Sequence, residues 1–81
     1  MSESTSIRFD LPEPTPVTLT IYDLLGHKVD LLVEMEQALP GAHSTIWNGT
    51  DELGRRVSSG VYFYRIETKG YSGTKALIHL H

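Results

Sequence analysis

The sequence contains no cysteine, and only seven of its 81 residues are lysine or arginine. Without cysteine, neither disulfides nor thiolate metal ligands can hold the fold, so strand pairing and packing must stabilise it. A formal net charge of −3, with Arg55-Arg56 as the only adjacent basic pair, excludes the positive surface that binds nucleic acid or anionic membranes. No apolar run approaches the roughly 20 residues that cross a bilayer, so we expect no membrane insertion.

The length of 81 residues allows one domain. A domain of this size buries too little to enclose a deep active site. Residues 1–6 lack the basic and apolar regions of a secretory signal peptide, and the first strand-like pattern begins almost at Met1. The chain is therefore either a cytoplasmic protein or a fragment of a longer chain, and we favour a fragment that forms a single domain over residues 1–81.

Alternation of apolar and polar residues with a period of two predicts short strands along most of the chain. Pro12, Pro14 and Pro16 remove three backbone donors, which predicts an extended crossing between two sheets or two sheet edges. Residues 30–39 have leucines near helical spacing. Because this segment is short and ends at Pro40-Gly41, we expect a short strand followed by an irregular loop. The predicted strands cover residues 6–11, 17–22, 28–33, 43–47, 61–68 and 72–80.

Six to seven short strands, separated by turn residues, predict an all-β fold in the form of an antiparallel β-sandwich. Strand alternation also predicts which side chains face the core. In the last strand, Ala76, Ile78 and Leu80 are expected to point inward, whereas Lys75, Leu77 and His79 point outward. The remaining expected core residues are Ile7, Phe9, Leu19, Ile21, Trp47, Tyr62, Tyr64 and Ile66.

Three groups of residues resemble one pair of related families. They are the segment Val17-Thr18-Leu19-Thr20-Ile21-Tyr22-Asp23-Leu24-Leu25-Gly26, the turn Trp47-Asn48-Gly49, and the spaced residues Asp51, Gly54, Gly60 and Tyr62. The pattern is similar to the type IX secretion C-terminal sorting domain and equally to the immunoglobulin-like domain of flagellar hook-capping proteins, two families that overlap in sequence. The resemblance covers nearly the whole chain.

The resemblance implies an immunoglobulin-like sandwich that is not an enzyme. It implies a sorting and secretion signal, recognised by an outer-membrane export apparatus, with the export machinery proteins and the parent cargo domain as partners. It implies that residues 1–81 are a C-terminal fragment of a larger secreted protein. The location implied is secreted or cell surface, reached through the periplasm as part of that longer precursor. Gly60, Tyr62 and the run Lys75-Ala76-Leu77-Ile78 match the family pattern. The predicted recognition surface comprises Gly60, Tyr62, Phe63, Lys75, Leu77 and His79.

The aromatic residues leave an alternative function open. Tyr22, Tyr71 and the aromatics of residues 47–64 could stack on sugars, so the chain could instead be a spacer or a polysaccharide-binding accessory module of a secreted enzyme. We expect Trp47, Tyr62 and Tyr64 to fill the core, and Tyr22 and Phe63 to stay partly exposed.

The sequence predicts neither a metal site nor a catalytic site. The four histidines, His27, His43, His79 and His81, are expected to be solvated surface residues, since two histidines on one strand do not complete a zinc site. A calcium ion could sit in the loop from Asn48 through Asp51 to Glu52, but capping of the loop by Asp51 is the preferred interpretation. No nucleophile, base and orienting residue occur in a recognisable pattern, so no catalytic residue and no cofactor is predicted.

Overall fold

The computed structural model describes residues 4–80, and these residues form six β-strands. The strands are β1 (Thr5–Leu11), β2 (Thr15–Tyr22), β3 (Lys28–Ala38), β4 (Gly41–Trp47), β5 (Gly60–Thr68) and β6 (Ser72–His79). β1 and β4 form a two-stranded antiparallel sheet, and a four-stranded antiparallel sheet has the order β3-β2-β5-β6. The predicted all-β antiparallel sandwich is therefore confirmed. The described part of the chain has no helix that could span a membrane.

Pro12 and Pro14 mark the crossing between the two sheets, as predicted, whereas Pro16 lies inside β2, which begins at Thr15 and not at Val17. Pro12 and Pro14 lie between β1 of the small sheet and β2 of the large one, where no ladder needs their missing N–H groups. The backbone N–H of Lys69 donates a hydrogen bond to Oγ1 of Thr15 at 3.1 Å. This bond fixes the end of the crossing against the turn between β5 and β6.

The core lies between the sheets and is centred on Trp47, which is fully buried. Its ring meets Tyr62 edge to face, with ring centroids 5.1 Å apart. The indole N–H of Trp47 donates to the carbonyl of Thr50 at 2.9 Å, and the Tyr62 hydroxyl donates to the carbonyl of Ser58 at 2.7 Å. Each polar tip is thus satisfied while the ring is buried. The expected core residues Ile7, Leu19, Ile21, Trp47 and Tyr62 are buried. Phe9 and Tyr64 pack against them, whereas Ile66 packs against a second buried cluster of Leu11, Val17 and Ala38.

The interpretation of residues 30–39 was wrong, because β3 continues to Ala38. Its pairing with β2 contains register shifts, one of them between Leu19 and Thr20. A register shift moves the following side chains to the other face, so strict alternation is lost. The consecutive residues Leu31, Leu32 and Val33 are all half-buried as a result. In the sequence, such a run imitates helical spacing.

The inward face of β6 was also predicted wrongly. Leu77 is 9% exposed and His79 is 2% exposed, whereas Ile78 is 67% exposed and Leu80 is 58% exposed. Leu77 lies opposite the core residue Tyr62 in the ladder, and opposed residues share a face of the sheet. The segment 75–80 carries apolar residues on both faces, so alternation could not distinguish them.

Candidate functional site

Asp51 organises a five-residue loop, residues 51–55, between β4 and β5. Its Oδ1 accepts the backbone N–H groups of Leu53 and Arg55, both at 2.9 Å, and Oδ2 accepts Nε of Arg55 at 3.0 Å. The loop is closed by the Asp51 N–H donating to the Arg55 carbonyl at 2.9 Å, and Gly54 adopts a φ of +79°. The predicted capping role of Asp51 is therefore what the geometry shows.

The turn between β2 and β3, residues 23–27, repeats this arrangement. Asp23 Oδ1 accepts the N–H groups of Leu25 and His27, both at 2.9 Å. The Asp23 N–H donates to the His27 carbonyl at 3.0 Å, and Gly26 has a φ of +83°. We refer to residues 23–27 and 51–55 as the twin loops. The shared spacing of aspartate, leucine, glycine and a basic residue or histidine was visible in the sequence, but the equivalence was missed.

The twin loops lie beside the same end of β3. The N–H of Glu52 donates to the carbonyl of Val29 at 3.0 Å, and Lys28 Nζ lies 3.5 Å from Glu52 Oε1. Each loop exposes a leucine: Leu25 is 81% exposed and Leu53 is 76% exposed. The hydrogen-bonded loops therefore present apolar side chains to solvent at one end of the sandwich.

Two carboxyl groups of this end have perturbed pKa values, in opposite directions. The N–H groups of Arg55 and Leu53 lower the pKa of Asp51, and the Arg55 guanidinium adds to that effect. Burial raises the pKa of Asp30, and the nearby negative charges of Glu52 and Asp51 raise it further. The shift of the Asp51 pKa thus comes from hydrogen bonds within its loop, and that of the Asp30 pKa from its burial in β3 beside the loop carboxylates.

The loop geometry does not suit a calcium ion. Both Asp51 oxygens accept hydrogen bonds, and one of them faces the Arg55 guanidinium, whereas calcium requires several oxygen ligands directed at one point. Among residues 4–80, no group of three or more His, Cys, Asp or Glu side chains could hold a metal ion.

The histidines occupy different environments, and the expectation that all are solvated is wrong for His79. Its ring packs 5.1 Å from that of Trp47 and 6.3 Å from that of Tyr62, measured between centroids. Gly49 lies directly against the imidazole, where any Cβ would overlap it. His43 is half-buried and stacks on Phe9 at 5.2 Å, and His27 is exposed beside Asp23. His81 lies outside the described residues.

The predicted recognition residues do not form one surface. Tyr62, Leu77 and His79 are buried, and the ladder pairs Tyr62 with Leu77 and Gly60 with His79. Of the six, only Lys75 is exposed, whereas Phe63 is half-buried on the opposite face of the sheet. The prediction that Leu77 and His79 are displayed is therefore corrected, since their side chains build the core.

A groove separates β1 from β6 along one side of the sandwich. It has a volume of about 670 Å³. β1 is hydrogen-bonded only to β4, and β6 only to β5, in the described sheets, so each has an unpaired edge. The floor is formed by Phe9, Tyr64 and Ile66, all half-buried. We call this feature the β1–β6 groove.

These features define the class of protein, a small immunoglobulin-like sandwich in which β1, β3, β4 and β6 are edge strands of the described sheets. The chain matches the family model of the FlgD Ig-like domain over residues 1–72. It therefore belongs to the FlgD Ig-like domain family. No curated protein sequence matches the chain.

A solved structure has the same fold. FlgD from P. aeruginosa superposes with a TM-score of 0.73 and 24% sequence identity over 95% of this chain. The chain spans 60% of the length of that FlgD chain. Neither this match nor the family match is to a type IX sorting domain.

Proposed function

We propose that this chain is a non-catalytic protein-recognition module of a flagellar hook-capping type of protein. Membership of the FlgD Ig-like domain family is the observation that carries the proposal. The module acts as a rigid structural part that contacts other proteins of an assembly outside the inner membrane. The parent polypeptide is exported, and no cofactor takes part.

The use of its polar residues supports a structural role over an enzymatic one. The carboxylate with the lowered pKa, Asp51, is engaged by backbone N–H groups and Arg55. The buried histidine, His79, is packed against two aromatic rings and a glycine. Asp51 and His79 therefore contact other parts of the sandwich, whereas the titratable side chains of an active site face the space that a substrate occupies.

In the proposed function, the surfaces that contact partners are the unpaired strand edges and the exposed apolar side chains. Unpaired edges offer backbone donors and acceptors to another chain. The twin loops add exposed leucines at one end of the molecule. Both features are available to protein partners without any change of the core.

The narrower role predicted from the resemblance, a type IX sorting signal, is the second candidate. One observation favours it: the last strand presents Ile78 and Leu80 to solvent, and Lys75 is exposed on the same strand. Exposed apolar residues next to an unpaired edge suit recognition by an export receptor.

The polysaccharide-binding alternative has less support. Trp47 and Tyr62 are buried and offer no ring face to a sugar, and Tyr64 is half-buried. Tyr71, 63% exposed, is the one aromatic residue among the exposed large hydrophobic side chains of residues 4–80. A single exposed ring is a poor platform for stacking an extended glycan.

One genetic experiment separates these roles. Codons 1–81 are deleted in frame from the gene that carries them, and both export of the parent polypeptide and assembly of flagellar hooks are scored. The proposal predicts normal export with defective hooks. Loss of export with normal hooks would replace it by the sorting role, and normal export with normal hooks would overturn both.

A matched pair of point variants keeps the result interpretable. Trp47→Ala removes the centre of the core and should reproduce the deletion. Glu36→Gln changes a solvent-exposed side chain of β3 and should behave as the parent. A parental phenotype for Trp47→Ala would mean that the folded domain is not needed.

A further inference from the structure

The β1–β6 groove is bounded by two strands that both have unpaired edges. β1 lies at the edge of the small sheet and β6 at the edge of the large one. The groove is lined by Arg8 to Pro12 on one bank and by Gly73 to Lys75 on the other. An unpaired edge exposes alternate N–H and C=O groups that another extended chain can pair with.

The floor of the groove offers a partly exposed apolar surface. Phe9, Tyr64 and Ile66 pack on the buried clusters from below but are only half-buried. A strand that pairs with β1 would place every second side chain over these residues, because strand side chains alternate between faces. Backbone pairing together with apolar burial specifies an extended polypeptide and not a sugar or a helix.

The charges at the banks further define the occupant. Lys75 lies opposite Tyr64 in the ladder and therefore shares the inner face of the sheet, where it faces the groove. Within residues 4–80, Lys75 has no carboxylate within 4.0 Å, and neither does Arg8. Asp10 and Glu13 lie on the β1 bank. On the β6 side of the groove, the inner face of the sheet therefore carries the positive charge of Lys75.

We propose that the β1–β6 groove accepts one extended strand of a partner protein, with apolar side chains facing the floor and an acidic side chain facing Lys75. The strand completes the small sheet by pairing with the unpaired edge of β1. This inference deepens the proposed function, since it names the kind of segment that a protein-recognition module would bind. The biological role of the strand binding rests on the proposed function, but the peptide titration that tests the binding does not.

The test uses the 81-residue protein and two synthetic peptides as long as β1, which has seven residues. The acidic peptide is Thr-Val-Thr-Glu-Thr-Val-Thr, and the basic peptide has lysine in place of glutamate. Binding is followed by NMR titration of the labelled protein. The proposal predicts shifts in β1 and β6 and tighter binding of the acidic peptide by about two- to five-fold, the range of an exposed ion pair.

Variants identify the residue responsible. Lys75→Glu should reverse the preference between the two peptides. Ile78→Ser changes the opposite face of the same strand and should leave both affinities unchanged. A preference that survives Lys75→Glu would overturn the assignment of this residue and with it the proposed acidic partner.

Two other results would overturn the proposal itself. One is the absence of shifts in β1 and β6 with either peptide. The other is a stable dimer of the free protein by light scattering, with the same strands protected, since a second copy would then fill the groove. Because no cell is involved, a failure here is distinguishable from a failure of the genetic experiment on hook assembly.

Discussion

The contact between Gly49 and His79 gives the most specific prediction about stability. Gly49 has a φ of +75°, and a Cβ added to it would overlap Cε1 and Nε2 of the buried His79 ring. Gly49→Ala therefore introduces two separate costs, backbone strain and steric overlap. His79 has little room to yield, because Trp47 and Tyr62 pack against it.

Gly54 is a matched control for the strain alone. Its φ of +79° is nearly the same, but an added Cβ would have nothing within 4 Å. Gly54→Ala should lower the free energy of unfolding by about 1 kcal/mol. The strain of alanine in a left-handed conformation destabilises the folded protein, and the lower flexibility of the unfolded chain offsets part of that cost. Gly49→Ala adds an overpacking cost of about 1–3 kcal/mol, which gives a total of about 2–4 kcal/mol.

Urea unfolding measures the difference. Trp47 is the only tryptophan and lies beside the perturbed contact, so its fluorescence should be compared with circular dichroism to confirm a two-state transition. A double-mutant cycle with His79→Ala should show that the two substitutions are not additive. Equal destabilisation by Gly49→Ala and Gly54→Ala would refute the contact.

Three further predictions concern the strand face, the start of β5 and the Asp51 loop. Leu77→Ser should lower the free energy of unfolding by about 2–4 kcal/mol, whereas Ile78→Ser should change it by no more than about 0.5 kcal/mol. If urea unfolding showed the larger loss for Ile78→Ser, the assigned faces of β6 would be reversed. Gly60→Val should cost about 1–2 kcal/mol because Gly60 has a φ of +155°, and an unchanged melting temperature would contradict this strain. The pKa of Asp51 is lowered from 3.8 in the folded protein, so its contribution to stability is present above that pH and is lost as the pH falls through the lower folded pKa. Asp51→Asn should therefore flatten the acid limb of a stability against pH curve, and an identical limb would show that Asp51 does not contribute.

Much of the fold could be predicted from the sequence because the strong signals were local. Alternation identified β1, β2 and β5, and the prolines identified the crossing between the sheets. The core around Trp47 and Tyr62 followed from the same alternation. These predictions depend on the period of a strand and on backbone donors, which neighbouring residues determine.

The errors arose where the structure depends on distant residues. His79 is buried because Gly49, thirty positions earlier, leaves space for its ring. The extent of β3 depends on register shifts against β2, which no local pattern shows. The predicted recognition surface failed at His79 for the first of these reasons, and at Leu77 because β6 carries apolar residues on both faces.

The open edges of β1 and β6 are the central claim of this account, and amide hydrogen exchange of the free 81-residue protein tests them most directly. Amides in the central strands β2 and β5 are paired on both sides and should exchange slowly. Alternate amides of β1 and β6 that face the groove should exchange fast, and the acidic peptide should slow those of β1. Uniform slow exchange across all six strands of the free protein would contradict the claim.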